Sequence, residues 1–252
     1  MDEEYFKEHG KEHFELDCKK RIDAMSKDSE FTELSKRWAV KSQAYKYNQH
    51  FRWLGRPIIQ FPQDVVAMQE IIWKVKPDII VETGIARGGT LIFHASMLEL
   101  LGNGGEAIGV DIALRKHNRD AIKKHPLAKR TRIINGSSID PAIVAQVYEH
   151  VGDRKAIVFL DSNHSHSHVL QELTMYNKLV KKGSYLVVSD TFIEDFPSGA
   201  FPNRPWDVGN NPATAVEEFM KANRRFTNDK EVVDRLGITA SRTGYLKCIS
   251  NR

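Results

Sequence analysis

The fold of this chain is decided by one stretch, Asp78-Ile-Ile-Val-Glu-Thr-Gly-Ile-Ala-Arg-Gly-Gly-Thr90. It predicts a buried apolar strand that ends in the acid Glu82 and is followed by a glycine-rich turn into a helix. Gly84, Gly88 and Gly89 let the backbone turn sharply and let a ligand approach where a Cβ would block it. The helix that follows would aim free N–H groups at that ligand.

Two nucleotide-binding motifs are excluded in this stretch. It has no lysine for the phosphates of a P-loop, and its glycines do not match G-x-G-x-x-G. An acid followed by G-x-x-x-G-G suits a ligand with a cationic or hydroxylated part. A glycine turn kept for purely structural reasons is the alternative.

Around this stretch, helical and extended patterns alternate from Asp64 onward. The predicted strands are Ile79–Val81, Ala107–Asp111, Arg132–Ile134, Ala156–Asp161 and Tyr185–Asp190, and the predicted helices are Val65–Val75, Leu91–Leu101, residues 141–150, Val169–Val180 and one capped by Asn211-Pro212. Near-continuous apolar strands between helices predict a parallel sheet covered on both faces. Two final extended segments without a helix between them, Gly237–Ser241 and Tyr245–Ile249, predict an antiparallel hairpin at its edge.

Length and composition indicate one large α/β domain, residues 61–252, after a helical N-terminal extension and lid, residues 1–60. The aromatic stretch Phe51–Pro62 that ends the extension is expected to be an ordered loop, either a flap packed on the core or a lid over a bound ligand. The helical extension is also a plausible surface for homo-oligomer assembly.

The small net charge of +4, with 37 Lys and Arg against 33 Asp and Glu, gives no reason to expect nucleic acid as a partner, although a polyanionic substrate is not excluded. Cys18 and Cys248 match no zinc or redox spacing and indicate reduced thiols. The charged N-terminus lacks a signal peptide, and no apolar run reaches the roughly 18 residues that span a bilayer. A cytoplasmic protein is therefore expected.

Four predicted strands end in an acid: Glu82, Asp111, Asp161 and Asp190. In open α/β sheets the ligand binds outside the carboxyl ends of the strands, so these acids are candidate site residues. Asp111, at the end of the second strand, is positioned to accept hydrogen bonds from ribose hydroxyls. Each acid could instead be a helix N-cap or a turn residue.

The third and fourth of these acids suggest a metal site. Asp161 and Asp190 would come from neighbouring strands and could share a divalent ion, for which their hard oxygen ligands favour magnesium. The segment 161–168 adds three histidines, so a softer metal bound by Asp161, His164 and a further histidine is an alternative. His166 and His168 are interpreted as a polar helix start, whereas His164 is close enough to Asp161 to act beside a bound metal.

A long aromatic loop, residues 191–211, follows the last of these acids. Its length points to a lid or a binding loop. Its aromatic residues could stack on a substrate ring or pack against the N-terminal region.

The glycine stretch resembles the first motif of S-adenosylmethionine-dependent methyltransferases. The chain as a whole resembles the cephalosporin hydroxylase family of Rossmann-type proteins, which is allied to O-methyltransferases acting on sugars, including rhamnosyl O-methyltransferases. The resemblance covers roughly residues 50 to 250 and rests on Trp53-Leu-Gly-Arg-Pro57, Gln69-Glu-Ile-Ile-Trp73, Val81-Glu-Thr-Gly-Ile-Ala-Arg-Gly-Gly89, Val110-Asp111, Leu160-Asp-Ser-Asn-His164 and Asp207-Val-Gly-Asn-Asn-Pro212.

The resemblance implies a Rossmann-like class I methyltransferase fold, with a mostly parallel seven-stranded sheet and an antiparallel last strand. It implies S-adenosylmethionine as cofactor, held by Glu82, Gly84, Arg87, Gly88, Gly89, Asp111, Ser138 and Asp161. Within that site Glu82 would lie near the amino acid end of the cofactor or orient the loop. Ser138, with Ser137, would flank the adenine, although both could be plain turn residues.

The resemblance also implies magnesium on Asp161 and Asp190, with His164 at the position of the catalytic base. Some relatives carry an acidic pair at the end of the fifth strand, where this chain has Ser189-Asp190. One expected carboxylate is therefore missing, and Thr191 or Glu194 could substitute for it.

The leading hypothesis is thus magnesium-assisted methyl transfer from S-adenosylmethionine to a hydroxyl of a sugar (a glycan, glycolipid or lipopolysaccharide) or of a natural product, with Asp161 and His164 as catalytic residues. Two alternatives remain open. One is a metal-dependent hydroxylase that uses iron on Asp161 and the histidines, and the other is a non-catalytic module that binds S-adenosylmethionine.

Overall fold

The computed structural model describes residues 11–251, so the first ten residues of the predicted extension lie outside the described part. A two-stranded and a seven-stranded sheet account for the strands of this part. The strands are β1 Arg52–Trp53, β2 Arg56–Pro57, β3 Ile79–Thr83, β4 Glu106–Asp111, β5 Thr131–Asn135, β6 Ala156–Leu160, β7 Tyr185–Val188, β8 Phe226–Asn228 and β9 Tyr245–Cys248.

Helices flank the large sheet and precede it. They are α1 Lys11–Lys27, α2 Ser29–Ser42, α3 Pro62–Val75, α4 Gly89–Leu101, α5 Lys116–Lys123, α6 Pro141–Val151, α7 His166–Tyr176, α8 Pro212–Ala222 and α9 Lys230–Leu236. Prolines at the first turn begin α6 and α8, where the missing N–H costs nothing. The side chains of Asp140 and Asn211 cap these two helices by accepting backbone N–H groups of the first turn.

The large sheet runs in the order β5-β4-β3-β6-β7-β9-β8, with five parallel strands followed by the antiparallel β9 and β8. The central strands are buried on both faces of the sheet. Because alternate residues point to opposite faces, each of these strands contributes to two cores. Ile79 and Val81 join the core formed with α6, α7 and α8, whereas Ile80 joins the core formed with α3, α4 and α9. The predicted Rossmann-like sheet with an antiparallel last strand is confirmed.

The predicted terminal hairpin is wrong. Residues 237–241 form no strand, and the edge strand is β8, which α9 separates from its partner β9. The reason is the buried carboxylate of Asp64, which accepts hydrogen bonds from the Thr239 hydroxyl and from the Ala240 N–H at 2.8 Å. The Ala240 carbonyl in turn accepts the N–H of Phe192, so this segment bonds to loops and not to a neighbouring strand.

The segment between α2 and α3 is ordered and packs on the domain. Its short hairpin, β1 and β2, turns at Leu54 and Gly55, both with positive φ. The Trp53 indole N–H donates to the Ser96 hydroxyl of α4 at 3.0 Å and holds the hairpin against that helix. This contact fits the interpretation as a flap packed on the core. None of the helices among residues 11–251 combines the length and apolar character needed to cross a bilayer.

Candidate active site

The glycines of the turn after β3 are required by close packing. Gly84 has φ +86°, and a Cβ there would lie 2.1 Å from the backbone oxygen of Asp161. A Cβ on Gly89 would lie 2.2 Å from the backbone oxygen of Pro57, and Gly88, with φ +80°, faces the side chain of Ile122. The turn is therefore pressed between the β6 end, the hairpin and α5, so its backbone has little room to move.

Asp111 holds this turn from the neighbouring strand. Its Oδ2 accepts the N–H groups of Ile85 at 3.0 Å and Ala86 at 3.2 Å, and its Oδ1 accepts the N–H of Ala113 at 2.8 Å. Its side chain also faces the smaller of two adjoining pockets described below. The predicted contact to ribose hydroxyls stays a prediction.

Glu82 lies beneath the turn and is 2% exposed. Its Oε2 is 3.0 Å from Nδ1 of the buried His94, and burial raises the pKa of the carboxyl above its ordinary value. With Gln60 and Ser189 it lines a cavity of about 10 Å³. This position fits an orienting role for Glu82 better than direct contact with a large ligand.

Asp161, His164 and Asp190 converge at the carboxyl ends of β6 and β7. One potential ligand atom from each lies within 4.8 Å of the others, and His164 Nε2 is 3.1 Å from Asp190 Oδ2. Asp190 has φ +58°, a left-handed conformation that is uncommon for a residue other than glycine. Burial, followed by the nearby charge of Asp190, raises the pKa of Asp161 well above its ordinary value. Such a crowded pair of acids suits a cation.

Gln60 completes this cluster. Its side-chain N–H group donates to Asp161 Oδ2 at 3.0 Å, and the residue is 7% exposed. No sequence motif marks Gln60, because it lies in the loop before α3 and reaches Asp161 only through the fold. The one hint was its place in the proline-bounded stretch that ends at Pro62.

The two residues considered as substitutes for the missing acid point elsewhere. Glu194 accepts the N–H of Gly209 at 2.9 Å and the side-chain amide of Asn211, and so supports the loop after β7. The Thr191 hydroxyl accepts the N–H of Thr243 and faces the Ala240 carbonyl. Asp161 and Asp190 are thus the two carboxylates of the cluster among the described residues.

The other two histidines diverge from His164. His166 joins α7 to α8, with Nδ1 2.8 Å from the Thr214 hydroxyl and Nε2 3.1 Å from Glu218, which fits a polar helix start. His168 instead lines the smaller pocket, and its Nε2 is 3.1 Å from the hydroxyls of both Ser138 and Ser162. Because neither joins Asp161 and His164, the two-histidine, one-carboxylate set of iron oxygenases is not assembled in the described part of the chain.

Two adjoining pockets meet at this cluster. The larger, of about 770 Å³, extends from the glycine turn to the segment after α2 and to the loop after β7, and its lining includes Arg87, Gly89, Thr90, His164 and Asp190. The smaller, of about 460 Å³, lies over the ends of β4 and β5 beside Asp111, Ser138 and His168. Both are lined by Gly84, Ala86, Asp161, Ser162 and Trp206. A long ligand could therefore lie across the turn, with one end in each pocket.

Solved structures with the same fold are methyltransferases and their relatives. CmcI in its magnesium and S-adenosylmethionine form superposes with a TM-score of 0.58 at 17% identity, over 80% of this chain and 78% of that one. The MycE methyltransferase of the mycinamycin biosynthetic pathway, with magnesium and S-adenosylhomocysteine, gives a TM-score of 0.53 at 16% identity, over 84% of this chain and 55% of that one. The fold is therefore that of the Rossmann-like methyltransferases.

Sequence comparison gives the family. The model of the rhamnosyl O-methyltransferase/CmcI family matches residues 45–249. The rhamnosyl O-methyltransferase of Mycobacterium tuberculosis is 29% identical over 189 residues, 73% of this chain and 72% of the relative. The enzyme of Mycobacterium leprae is 28% identical over 202 residues, 77% of this chain and 81% of the relative. The chain belongs to the rhamnosyl O-methyltransferase/CmcI family and is an S-adenosylmethionine-dependent O-methyltransferase.

Proposed function

We propose that this protein transfers a methyl group from S-adenosylmethionine to a hydroxyl of a sugar, in a glycan, glycolipid or lipopolysaccharide, or of a natural product, with the assistance of magnesium. The observation that carries this proposal is the convergence of Asp161, His164 and Asp190 at the junction of the two pockets.

The cofactor fits across the glycine turn. Gly84 lines both pockets, and its lack of a side chain lets the turn lie directly against the Asp161 backbone. Asp111, Ser138 and His168 offer polar atoms in the smaller pocket, where the adenosine part would bind. The sulfonium, at the centre of the cofactor, would then lie near Asp161. Arg87 on the turn would face the cofactor carboxylate. When bound, the cofactor supplies an electrophilic methyl group.

Magnesium fits the donor set of Asp161 and Asp190, because both offer carboxylate oxygens and because burial and the nearby charge of Asp190 raise the pKa of Asp161 in the metal-free protein. When bound, the ion would lower the pKa of an acceptor hydroxyl. Gln60 holds Asp161 in place by its 3.0 Å hydrogen bond. The serine at position 189 leaves the site with one carboxylate fewer than in some relatives, so we expect a weaker affinity for the ion.

His164 is the proposed base. Because its Nε2 lies 3.1 Å from Asp190 Oδ2, that nitrogen carries the proton in the neutral ring, and Nδ1 is left as the basic atom. Nδ1 would take the proton of the acceptor hydroxyl. The Trp206 ring packs against His164 at 4.7 Å, edge to face, and fixes the orientation of the imidazole.

Relatives that are rhamnosyl O-methyltransferases support a sugar acceptor. The larger pocket agrees with it, because Phe201 and Trp206 line the pocket with rings on which a sugar could stack. An acceptor with an aromatic or macrocyclic core would fit the same surface, so natural products stay within the proposal.

The test is methyl transfer from labelled S-adenosylmethionine to a panel of glycosides, first after EDTA treatment and then with magnesium added back. Asp161→Asn and Asp190→Asn should each abolish the response to magnesium. Asp120→Asn, which removes a carboxylate from an exposed pair with Lys116, should keep it. Full turnover of the EDTA-treated enzyme would disprove metal use, and cofactor binding without turnover on any acceptor would favour the non-catalytic alternative.

A further inference from the structure

Three cations line the larger pocket without a carboxylate partner. Lys46 lies in the turn after α2, Arg87 in the glycine turn, and Arg204 in the loop after β7, and all three are exposed. Ion pairs occur elsewhere on the described surface, but none involves these three side chains. Three segments that are distant in the sequence therefore bring unpaired positive charge to one opening.

One of these cations is linked to the reaction centre through aromatic rings. The Arg204 guanidinium lies 5.1 Å from the Trp206 ring, and that ring packs at 4.7 Å against His164. Arg204 thus stands one ring beyond the proposed base. A cation stacked on an aromatic face keeps its N–H groups available at the ring edge. A group of the acceptor that is bound there would lie one aromatic ring away from the proposed base.

The charges in the larger pocket do not cancel when a divalent cation and the cofactor are bound. The acids of its lining are Asp161 and Asp190, and a divalent cation would neutralise both. S-adenosylmethionine itself carries a sulfonium and an ammonium against one carboxylate, which Arg87 on the glycine turn would bind in the proposed function. Lys46 and Arg204 then remain unbalanced in the part of the pocket left for the acceptor. Such a field attracts anions and increases their rate of association.

We infer that the acceptor carries an anionic group, a phosphate or a carboxylate, next to the methylated sugar and that Lys46 and Arg204 bind this group. The inference rests on the proposed function for the location of the acceptor. It explains why the pocket lining contains aromatic rings and cations together, since rings hold the sugar and cations hold its charge. A neutral glycoside would stack on the rings but would leave the cations without a partner.

The test measures binding by calorimetry to the protein saturated with S-adenosylhomocysteine and magnesium. One pair of probes is L-rhamnose 1-phosphate with methyl L-rhamnoside, and the second pair is methyl D-glucuronoside with methyl D-glucoside. The two pairs separate phosphate from carboxylate. The variants are Lys46→Gln and Arg204→Gln, and Lys178→Gln is the matched control, because Lys178 is an exposed lysine outside the pocket lining.

We expect at least one anionic probe to bind about 10-fold or more tightly than its neutral partner, as for a charge-assisted contact. Lys46→Gln and Arg204→Gln should each reduce this preference, added salt should weaken it, and Lys178→Gln should leave it unchanged. Equal binding of both members in both pairs, or a preference that survives both variants, overturns the inference. Anion preference without methylation of any acceptor would refute the proposed reaction and still support this site.

Discussion

Replacement of Gly84 by alanine tests whether the glycine turn and the end of β6 form one rigid unit. The added Cβ would lie 2.1 Å from the Asp161 backbone oxygen, 2.7 Å from its carbonyl carbon and 2.9 Å from Ser162 Cα. All three are backbone atoms, so no side-chain rotation relieves the contact. Either the turn or the Asp161 backbone must move by roughly 1 Å to restore normal separations.

The loss of stability expected for Gly84→Ala can be estimated by comparison with a second glycine, Gly183. Gly183 has φ +84°, close to the +86° of Gly84, but nothing lies within 4 Å of a Cβ added there. Alanine at Gly183 therefore costs only the left-handed strain, about 1–2 kcal/mol. Alanine at Gly84 costs the same strain and an overpacking penalty of about 1–3 kcal/mol. For a domain of this size each kcal/mol lowers Tm by about 2–4 °C.

The assay is urea unfolding of the two variants beside the parent protein, together with calorimetric binding of S-adenosylmethionine. We expect the free energy of unfolding to fall further for Gly84→Ala than for Gly183→Ala, by about the overpacking term of 1–3 kcal/mol. Cofactor affinity should fall only for Gly84→Ala, because the turn and Asp161 would separate. Equal loss of stability in the two variants would refute the rigid contact between the turn and β6.

Three further predictions concern the acid cluster. In EDTA, Asp161→Asn should raise Tm at pH 8, because burial and Asp190 raise the pKa of this carboxyl and its ionised form therefore destabilises the folded protein. The gain in Tm should shrink as the pH falls and the carboxyl of the parent protein takes up its proton. A gain in Tm that is independent of pH would contradict this account. His164→Gln should lower kcat about 10²- to 10⁴-fold with unchanged calorimetric affinity for S-adenosylmethionine, and a merely weaker cofactor affinity would argue against its role as base. Gln60→Leu should weaken magnesium binding about 10- to 100-fold, with Gln63→Leu as the control in the same segment, and equal affinities in the two variants would remove Gln60 from the site.

The sequence predicted the parallel strands well, for a physical reason. Strands such as β6, Ala156–Leu160, are buried on both faces and read as unbroken apolar runs. The edge strand β8 was missed because Phe226–Asn228 is short and only Phe226 is buried. The false strand at residues 237–241 arose because Ala240 and the partly buried Ile238 pack with Ala39, Phe61 and Phe192 outside the sheet, and because the hydrogen bonds of the segment go to Asp64, far away in the sequence.

In the candidate site, too, some contacts follow from the strand pattern and others depend on residues that are far apart in the sequence. Acids at the ends of parallel strands must meet at one edge of a sheet, so the approach of Asp161 to Asp190 could be predicted from spacing alone. The path of the loop before α3 brings Gln60 to Asp161, and the rotation of α7 turns His168 toward the smaller pocket. No local sequence pattern specifies either arrangement. The orientation of Glu82 toward His94, away from the open pockets, likewise depends on which face of β3 packs against α4.

Asp64 has a consequence for the order in which the molecule is made. It lies four residues after Gln60, yet its carboxylate is bound by Thr239, Ala240 and the Tyr245 hydroxyl at 2.7 Å. The partners that fix the segment carrying Gln60 are synthesised 175 to 181 residues after Asp64. A nascent chain that ended before Thr239 would already contain Asp161 and Asp190, the two proposed metal ligands, but Asp64 in the segment beside them would lack its partners. Completion of the candidate pocket therefore waits until residues 239–245 have been synthesised.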